Sequence, residues 1–313
     1  MNIFYFLMKL ISVILPTYNR EKLLKNAIHS VLNQTHSNLE LIIIDDNSSD
    51  NTQILIKSFN DKRINYIKNN KNLRAPSCRN IGISASTGDF IAFLDDDDEW
   101  YPNKLEEQIK LFKKESIGLV YSTTDLFFQN YNLSYPTKPQ KRGYIYNDIL
   151  INNYIGATPS VIVRKEALKS LKVSNNEYFD TNFPARQDYD LWIRLCKRWD
   201  ADYVSSSLVK QNYRNNLERI SSDLNNHISA HKMLNEKYKV DINSMLSNQQ
   251  IKDRLINQLL FLAAQAIKIS NIKLAQKYYL NALIKKKSLK LFLFYLSSLM
   301  GAKFMIKLRS YKK

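Results

Sequence analysis

Phe90-Ile-Ala-Phe-Leu-Asp-Asp-Asp-Asp-Glu-Trp100 passes from five apolar residues directly into five acids. The apolar half, launched by Gly88, reads as a short buried strand, and the acids then stand at its carboxyl end. Two stretches upstream have the same build. Ile11-Ser-Val-Ile-Leu-Pro16 is a strand stopped by Pro16 and followed by Thr17-Tyr-Asn-Arg20; Leu39-Glu-Leu-Ile-Ile-Ile-Asp45 is a strand followed by Asp46-Asn-Ser-Ser-Asp50. In an open parallel sheet, ligands bind outside the carboxyl ends of the strands. Three polar clusters at three strand ends therefore converge on one rim if the strands are parallel.

The segments between these strands carry helical periodicity, as crossover helices require. Glu21 to Gln34 places Leu24, Ile28, Val31 and Leu32 on one stripe, and Asp50 is expected to cap a helix carrying Ile54, Leu55 and Phe59. A short strand follows at Arg63–Ile67, then a helix from about Ala75 to Ser86, and Pro102 opens a helix running to Lys114. Past Gly118 the pattern turns mixed. Leu119–Phe128 and Ser160–Arg164 read as strands with a loop-rich stretch between Asn130 and Gly143. Arg186–Trp199 reads as a helix presenting Trp192, Leu195, Cys196 and Trp199, and Ser207–Tyr213 as a last strand. The expectation is an α/β, Rossmann-like, mixed but mostly parallel sheet flanked by helices over residues 1–215, with the first eight or so an extension. A helical, basic region fills 216–313. There Leu255, Leu259, Leu262 and Ala266 form a stripe, and a turn at Ser270-Asn271 leads to Leu274, Tyr278 and Ala282, as in one helical hairpin, with a further helix from Leu289.

Apolar residues at 44%, with only 6 Gly and 7 Pro, exclude collagen-like and disordered classes. Cys78 and Cys196 form no disulfide framework or zinc spacing and read as small buried residues in a reducing compartment. Met1–Lys9 has neither the positive start nor the cleavage site of a signal peptide, and no apolar run reaches the length of a spanning helix. The net charge of +17 is concentrated at the end: residues 251–313 hold 14 Lys and Arg against one acid, Asp253. Lys285-Lys-Lys287 and Lys290 lie beside Leu291, Phe292, Phe294 and Leu296, a pattern suited to an anionic membrane surface or to a helical cap with a solvated lysine face. Nucleic-acid binding is the competing reading of the charge. Lysines without Arg–aromatic alternation or a recognisable module argue against it, and no nucleic-acid partner is expected.

Four consecutive carboxylates repel one another unless a cation neutralises them, and a hard divalent ion shared with substrate phosphates is one solution. A solvated acidic turn capping the next helix is the plainer one. His227 and His231, spaced i, i+4, lack an acidic third ligand and read as an exposed helix face. The aromatic stretch from Tyr121 to Tyr146 suits either an acceptor pocket wall or strand packing.

In order and spacing these motifs resemble family 2 glycosyltransferases of the GT-A fold. They are Ser12-Val-Ile-Leu-Pro-Thr-Tyr-Asn-Arg20, Asp45-Asp-Asn-Ser-Ser-Asp50, Arg79-Asn80 before Gly88-Asp89, and Phe93-Leu-Asp-Asp-Asp-Asp-Glu-Trp100. A second anchor, Gln187-Asp-Tyr-Asp-Leu-Trp192, is similar to the family's Glu-Asp-x-Asp-Leu-Trp segment. The resemblance implies an inverting hexosyl- or N-acetylhexosaminyltransferase that uses a nucleotide-sugar, typically a UDP-sugar, and a divalent cation (Mn²⁺ or Mg²⁺). The acceptor would be a hydroxyl of a glycan or lipid-linked glycan in surface polysaccharide assembly, at the cytoplasmic face of the membrane. It places Pro16, Tyr18, Arg20, Asp45, Asp46, Arg74, Arg79, Asp95 and Asp96 on the donor side, with Asp46 accepting from the base. Asp97 is the metal ligand of a DXD motif, although four acids in a row leave the register open by one. Asp188 is the base that takes the acceptor proton, with Asp190 a helix cap. Gln187, where the family has Glu, removes a negative neighbour and should leave that base less basic. A nucleotidyltransferase would also use acids and a metal on an α/β sheet, but Thr17-Tyr-Asn-Arg20 offers no glycine for a phosphate loop.

Overall fold

Every residue of Ile11–Thr17, the strand β1, is buried, as befits a sheet covered on both faces. Alternation along it serves two cores. Ile11, Val13 and Leu15 pack with Leu24, Ala27, Ile28 and Val31, whereas Ile14 faces the cluster containing Tyr121, Trp192 and Leu195. The computed structural model describes residues 8–138, 141–171, 177–214 and 223–310. The first seven of the eight or so residues read as an extension, the boundary at 215/216 and the last three residues of the basic region lie outside the described residues.

The first half runs β1, α1 (Glu21–Leu32), β2 (Leu39–Asp45), α2 (Thr52–Ser58), β3 (Ile64–Lys68), α3 (Arg74–Ala85) and β4 (Phe90–Phe93). The second runs β5 (Glu99–Trp100), α4 (Lys104–Ile109), β6 (Ile117–Phe128), β7 (Leu133–Pro136), α5 (Tyr146–Ile151), β8 (Val161–Arg164), α6 (Lys165–Lys169), α7 (Gln187–Cys196) and β9 (Asp200–Tyr213). The strands form one nine-stranded sheet in the order β3-β2-β1-β4-β8-β6-β9-β5, with β7 paired to β6. β3, β2, β1 and β4 are mutually parallel, whereas β8 joins β4 and β6 antiparallel, so the parallel character belongs to the first half. β6 and β9 return to parallel pairing, interrupted by register shifts.

Register brings the acids together. Thr17 lies opposite Asp45, the Asp46 N–H donates to the Thr17 carbonyl at 2.9 Å, and the Leu94 N–H donates to the Ile14 carbonyl at 3.0 Å. The far ends of the same strands are tied by Glu40, which accepts from the Ser12 hydroxyl (2.6 Å) and the Thr87 N–H (2.7 Å). A side chain at Gly88 would meet the Leu10 carbonyl and the Ser12 hydroxyl at 2.7 Å, which explains a glycine where the chain enters β4.

Among the described residues six helices follow: α8 (Leu224–Lys237), α9 (Lys239–Met245), α10 (Asn248–Lys268), α11 (Ile272–Lys285), α12 (Leu289–Leu299) and α13 (Ala302–Ser310). Ala230, Leu234, Tyr238, Ile242 and Leu246 of the first two and the turns that follow them join the core around Trp192. Leu262, Ala263, Ala266, Ile267, Tyr279, Met305 and Ile306 pack on Leu126 and Phe128 at the end of β6. α10 opens with a full capping box in which Ser247 and Gln250 exchange hydrogen bonds.

Several expected elements differ. The helix after Asp50 starts at Thr52, and Asp50 instead accepts from the Thr52 and Glu21 N–H groups, tying two helix starts together. Ile54 is 70% exposed, so it is not part of a buried stripe. The helix after Pro102 ends at Ile109, and the stretch read as loop holds β7, whose pairing to β6 is a long-range choice invisible to local pattern. β9 begins seven residues before Ser207, because its polar start pairs with β6. Of the expected stripe on α10, Leu262 and Ala266 are buried together with Ile256, Ala263 and Ile267, whereas Leu259 is half-buried and Leu255 exposed.

Candidate active site

The carboxyl ends of β1, β2 and β4 open into a cavity of about 1020 Å³. That lies at the top of the range for ligand pockets, about 300–1,000 Å³, and leaves room for two substrates. Pro16, Tyr18, Arg20, Asp46, Arg74, Arg79, Asp95, Asp96 and Asp97 line it, and so does Asp188 at the start of α7. The cation station and the base expected from sequence thus share one cavity.

Asp45 is the exception among the expected donor residues. Its carboxylate is fully buried and accepts from the Ser48 N–H (2.8 Å) and the Tyr66 hydroxyl (2.7 Å), so it shapes the turn after β2 and does not line the cavity. Asp46 does. Its Oδ1 accepts from Asn69 Nδ2 and the Leu73 N–H, both at 2.8 Å, and its Oδ2 from the Arg74 N–H at 2.7 Å. It therefore clamps the loop that launches α3, with acceptor capacity left on Oδ2.

Protein cations meet much of the acidic repulsion. Arg20 Nη1 donates to Asp96 (3.0 Å) and Asp97 (2.9 Å), and Arg79 Nη2 to Asp95 (2.5 Å). Burial, together with Asp97 and Asp95, raises the Asp96 pKa against the pull of Arg20 and the Thr17 hydroxyl, which donates at 3.0 Å. Asp98 instead joins two parts of the sheet. Its Oδ1 accepts the Asn212 N–H (3.1 Å) while Asn212 Nδ2 donates to the Asp97 carbonyl (3.0 Å), pinning β9 to the acidic turn.

Several backbone positions here are left-handed without being glycine: Asn19, Asn47, Arg74 and Arg186 have φ of 50°, 70°, 68° and 61°. Asparagine tolerates this, whereas for arginine it costs roughly 1–2 kcal/mol. Arg74 and Arg186 stand at the starts of α3 and α7, where that conformation turns each chain into the cavity.

Asp188 Oδ1 accepts its neighbour's Tyr189 N–H at 2.8 Å, and Oδ2 has no hydrogen-bond partner among the described residues. Burial raises its pKa, while Arg186 and Arg79 pull it down. Gln187 Nε2 donates to the Phe183 carbonyl at 2.7 Å, a bond an ionised glutamate could not make. Asp190, expected to be a cap, is fully buried and pairs with Arg194 (2.9 Å), Lys237 (2.8 Å) and the Tyr238 hydroxyl (2.7 Å). It fastens α8 to α7.

Arg186 was not anticipated from sequence. It is buried, lies 4.0 Å over the Phe261 ring, and contacts His231 Nε2 at 3.1 Å. His227 and His231 are correspondingly buried against Phe261 and do not form an exposed face. Burial and the nearby Arg186 push His231 down to about 2, so it stays neutral and accepts from Arg186. Cys78 and Cys196 are buried, and burial raises both thiols, as suits inert packing groups. Of the aromatic stretch, Tyr121 and Tyr146 belong to the core and Tyr135 lines the cavity.

Oxygen donors of this kind suit a hard divalent cation. Among the described residues no three ligating side chains converge on one point, so an ion held here would need substrate oxygens to complete its shell. Mg²⁺-type sites are built in that way, from one or two carboxylates plus phosphates. The residues present fit such an ion.

A parallel half-sheet ending in acids and arginines, faced across a cleft by a carboxylate from the mixed half, is the build of a GT-A glycosyltransferase. The chain belongs to glycosyl transferase family 2, whose model matches residues 12–172. It is 35% identical over 214 residues to the Escherichia coli UDP-Glc:alpha-D-GlcNAc-diphosphoundecaprenol beta-1,3-glucosyltransferase WfgD, covering 68% of this chain and 80% of that one. Solved structures that share the fold include the following two. One is the mannosyltransferase PcManGT from Pyrobaculum calidifontis in complex with GDP-Man and Mn²⁺, with TM-score 0.58, 15% identity, and coverage of 96% of this chain and 87% of that one. The other is S. aureus TarS 1-349 in complex with UDP-GlcNAc, with TM-score 0.54, 16% identity, and coverage of 93% and 90%.

Proposed function

We propose that this glycosyltransferase inverts configuration at the sugar's anomeric carbon, moving a hexosyl or N-acetylhexosaminyl group from a UDP-sugar to a hydroxyl of a lipid-linked glycan. One observation carries the reading: Asp97 and Asp188 open into the same cavity. In this reading Asp46 Oδ2 takes the N3–H of uracil, and Tyr18, Arg20, Arg74 and Arg79 border the nucleotide. Asp97 would hold Mn²⁺ or Mg²⁺, and such an ion would supply a Lewis acid for the leaving diphosphate. Asp188 Oδ2 accepts the acceptor's hydroxyl proton as that oxygen bonds to the anomeric carbon and the bond to the diphosphate breaks. Attack from the side away from the leaving group gives inversion. The lipid-linked acceptor is suggested by the substrate named for the E. coli relative.

A thermal-shift panel of nucleotide sugars with and without Mn²⁺ tests the donor. Stabilisation by a UDP-sugar that depends on Mn²⁺ is expected; stabilisation by nucleoside triphosphates alone would favour nucleotidyl transfer.

We also propose a peripheral position at an anionic membrane surface. No helix among the described residues is long and apolar enough to cross a membrane. α12, α13 and the turn between them nonetheless expose Leu289 (73%), Leu293 (51%), Leu299 (55%), Met300 (67%) and Phe304 (40%) beside Lys287, Lys290 and Lys303. Apolar side chains flanked by lysines suit the interface of an anionic bilayer. Removing everything after residue 285 would also take Leu291, Met305 and Ile306 out of the core, so point variants are the cleaner test. Leu293→Glu with Met300→Glu should abolish flotation with anionic vesicles while leaving the melting temperature unchanged. Flotation equal to wild type would sink the membrane reading.

A further inference from the structure

A second part of the cavity wall, joined to the acidic turn through Asn212, has the opposite chemistry. Its walls are Tyr135, Gln211 and Tyr213 from the sheet, Phe261, Gln265 and Lys268 from α10, and Arg309 from α13, with no carboxylate among them. Three rings stand in a row: Phe128 stacks on Tyr135 (centroids 5.5 Å apart) and on Tyr213 (5.1 Å). A cation sits at each end. Arg309 lies 5.7 Å over the Tyr135 ring and donates to its hydroxyl at 3.1 Å; Lys268 lies 4.3 Å over the Tyr213 ring and donates to its hydroxyl at 2.7 Å.

Arg309 is the telling member. It is part-buried, its hydrogen-bond partners are the phenols of Tyr135 and Tyr279, and among the described residues it pairs with no carboxylate. Taking a guanidinium out of water against neutral phenols alone is costly unless an anion completes the site. The phenols hold the cation in place, and its remaining N–H donors suit the oxygens of a phosphate. Phe261, Gln265 and Lys268 fall at i, i+4 and i+7 on α10, one continuous face. Phe261 is the ring under Arg186, the residue whose charge acts on Asp188. From there Lys268 is seven residues further, about 10 Å at 1.5 Å per residue, which leaves space for a sugar ring between the base and the cations.

We propose that Lys268 and Arg309 bind a phosphate or diphosphate attached to the acceptor sugar, orienting its hydroxyl toward Asp188. This rests on the glycosyltransferase reading above and adds the acceptor's chemical class, a glycosyl phosphate. The same chemistry fits a lipid-linked diphosphate sugar or a sugar phosphate without lipid.

The test uses the full chain saturated with UDP and Mn²⁺, so that the donor site is filled, with affinities measured by calorimetry. Three probes are titrated: decyl-diphosphate-linked GlcNAc, GlcNAc 1-phosphate and the neutral decyl GlcNAc glycoside. Lys268→Gln and Arg309→Gln should each weaken the phosphorylated probes about tenfold or more, the range for a hydrogen bond to a charged group. Arg309→Lys should recover part of the loss, and the neutral glycoside and UDP itself should bind as to wild type. Weakening confined to the decyl diphosphate would mark a lipid-linked acceptor, and equal weakening of GlcNAc 1-phosphate would mark the phosphate alone. Equal weakening of the neutral glycoside, unchanged binding of the phosphorylated probes, or a parallel loss of UDP affinity would overturn the proposal. Melting temperatures identify a misfolded Arg309 variant, and Lys268→Gln then decides alone. Failure of the wild-type chain to bind UDP would sink the donor reading instead.

Discussion

Asp188→Asn separates chemistry from binding at a single atom. Asparagine keeps the Oδ1 that accepts the Tyr189 N–H at 2.8 Å, so the start of α7 should hold, while Oδ2 becomes an amide unable to take a proton. General-base catalysis contributes roughly 10²- to 10⁴-fold, which at 1.36 kcal/mol per decade is about 3–5 kcal/mol of barrier. Stability should move little. Burial raises the folded pKa of Asp188, so ionising it opposes folding as pH rises above the ordinary carboxylate value, and the amide relieves that cost at neutral pH. Against this, Arg186 loses a favourable charge. Unfolding entropy of about 2.1 cal/mol/K per residue makes 1 kcal/mol worth only about 1.5 °C in a chain of this length. Steady-state sugar transfer, followed by UDP release, should therefore fall at least a hundredfold with UDP affinity unchanged. The wild-type rate should decline as pH drops through a pKa above the ordinary carboxylate range, and the residual rate of the variant should lack that limb. Turnover within tenfold of wild type, or a parallel loss of UDP affinity, would refute the role of Asp188 as base.

Asp97→Ala should remove the gain in UDP affinity on adding Mn²⁺, leaving the metal-free affinity similar; calorimetry with and without the ion reads this directly. Gln187→Glu restores a negative neighbour to Asp188, so the acid limb of the pH–rate profile should move to higher pH. Losing the bond to the Phe183 carbonyl should at the same time lower the melting temperature by about 1–2 °C, equivalent to about 1 kcal/mol. Asp190→Asn should behave in the opposite manner to Asp188→Asn. Leaving Lys237 and Arg194 without their buried carboxylate should cost about 3–5 kcal/mol by thermal denaturation, with turnover per folded molecule retained.

What the sequence reveals of the fold is what neighbouring residues determine. β1, β2 and β4 are short runs of buried aliphatics and aromatics whose polar continuations follow within a residue or two of the strand, so strand and motif are read together. Pairing between distant segments carries no such local mark. β7, and the early start of β9 at Asp200, exist because β6 supplies their hydrogen bonds. Asp45 and Asp190 show the same limit from the other side. Each is an acid near one that lines the cavity, and only tertiary contacts, Tyr66 for the one and Lys237 for the other, show it to be structural.

The two halves of the cavity differ in legibility for the same reason. The acidic wall consists of strand ends, where a whole cluster of chemistry occupies consecutive positions such as Asp95 to Asp98. The basic wall draws Tyr135, Tyr213, Lys268 and Arg309 from four separate elements, and in sequence the two cations are merely part of a lysine-rich tail. Their distinctness comes from packing: Arg309 is carried inward on a helix anchored by Met305 and Ile306 and meets phenols in place of acids. An acidic wall can be written as a motif because it lies along the ends of adjacent strands. A wall assembled by helices folding back onto β6 and β7 can be recognised only after they have packed.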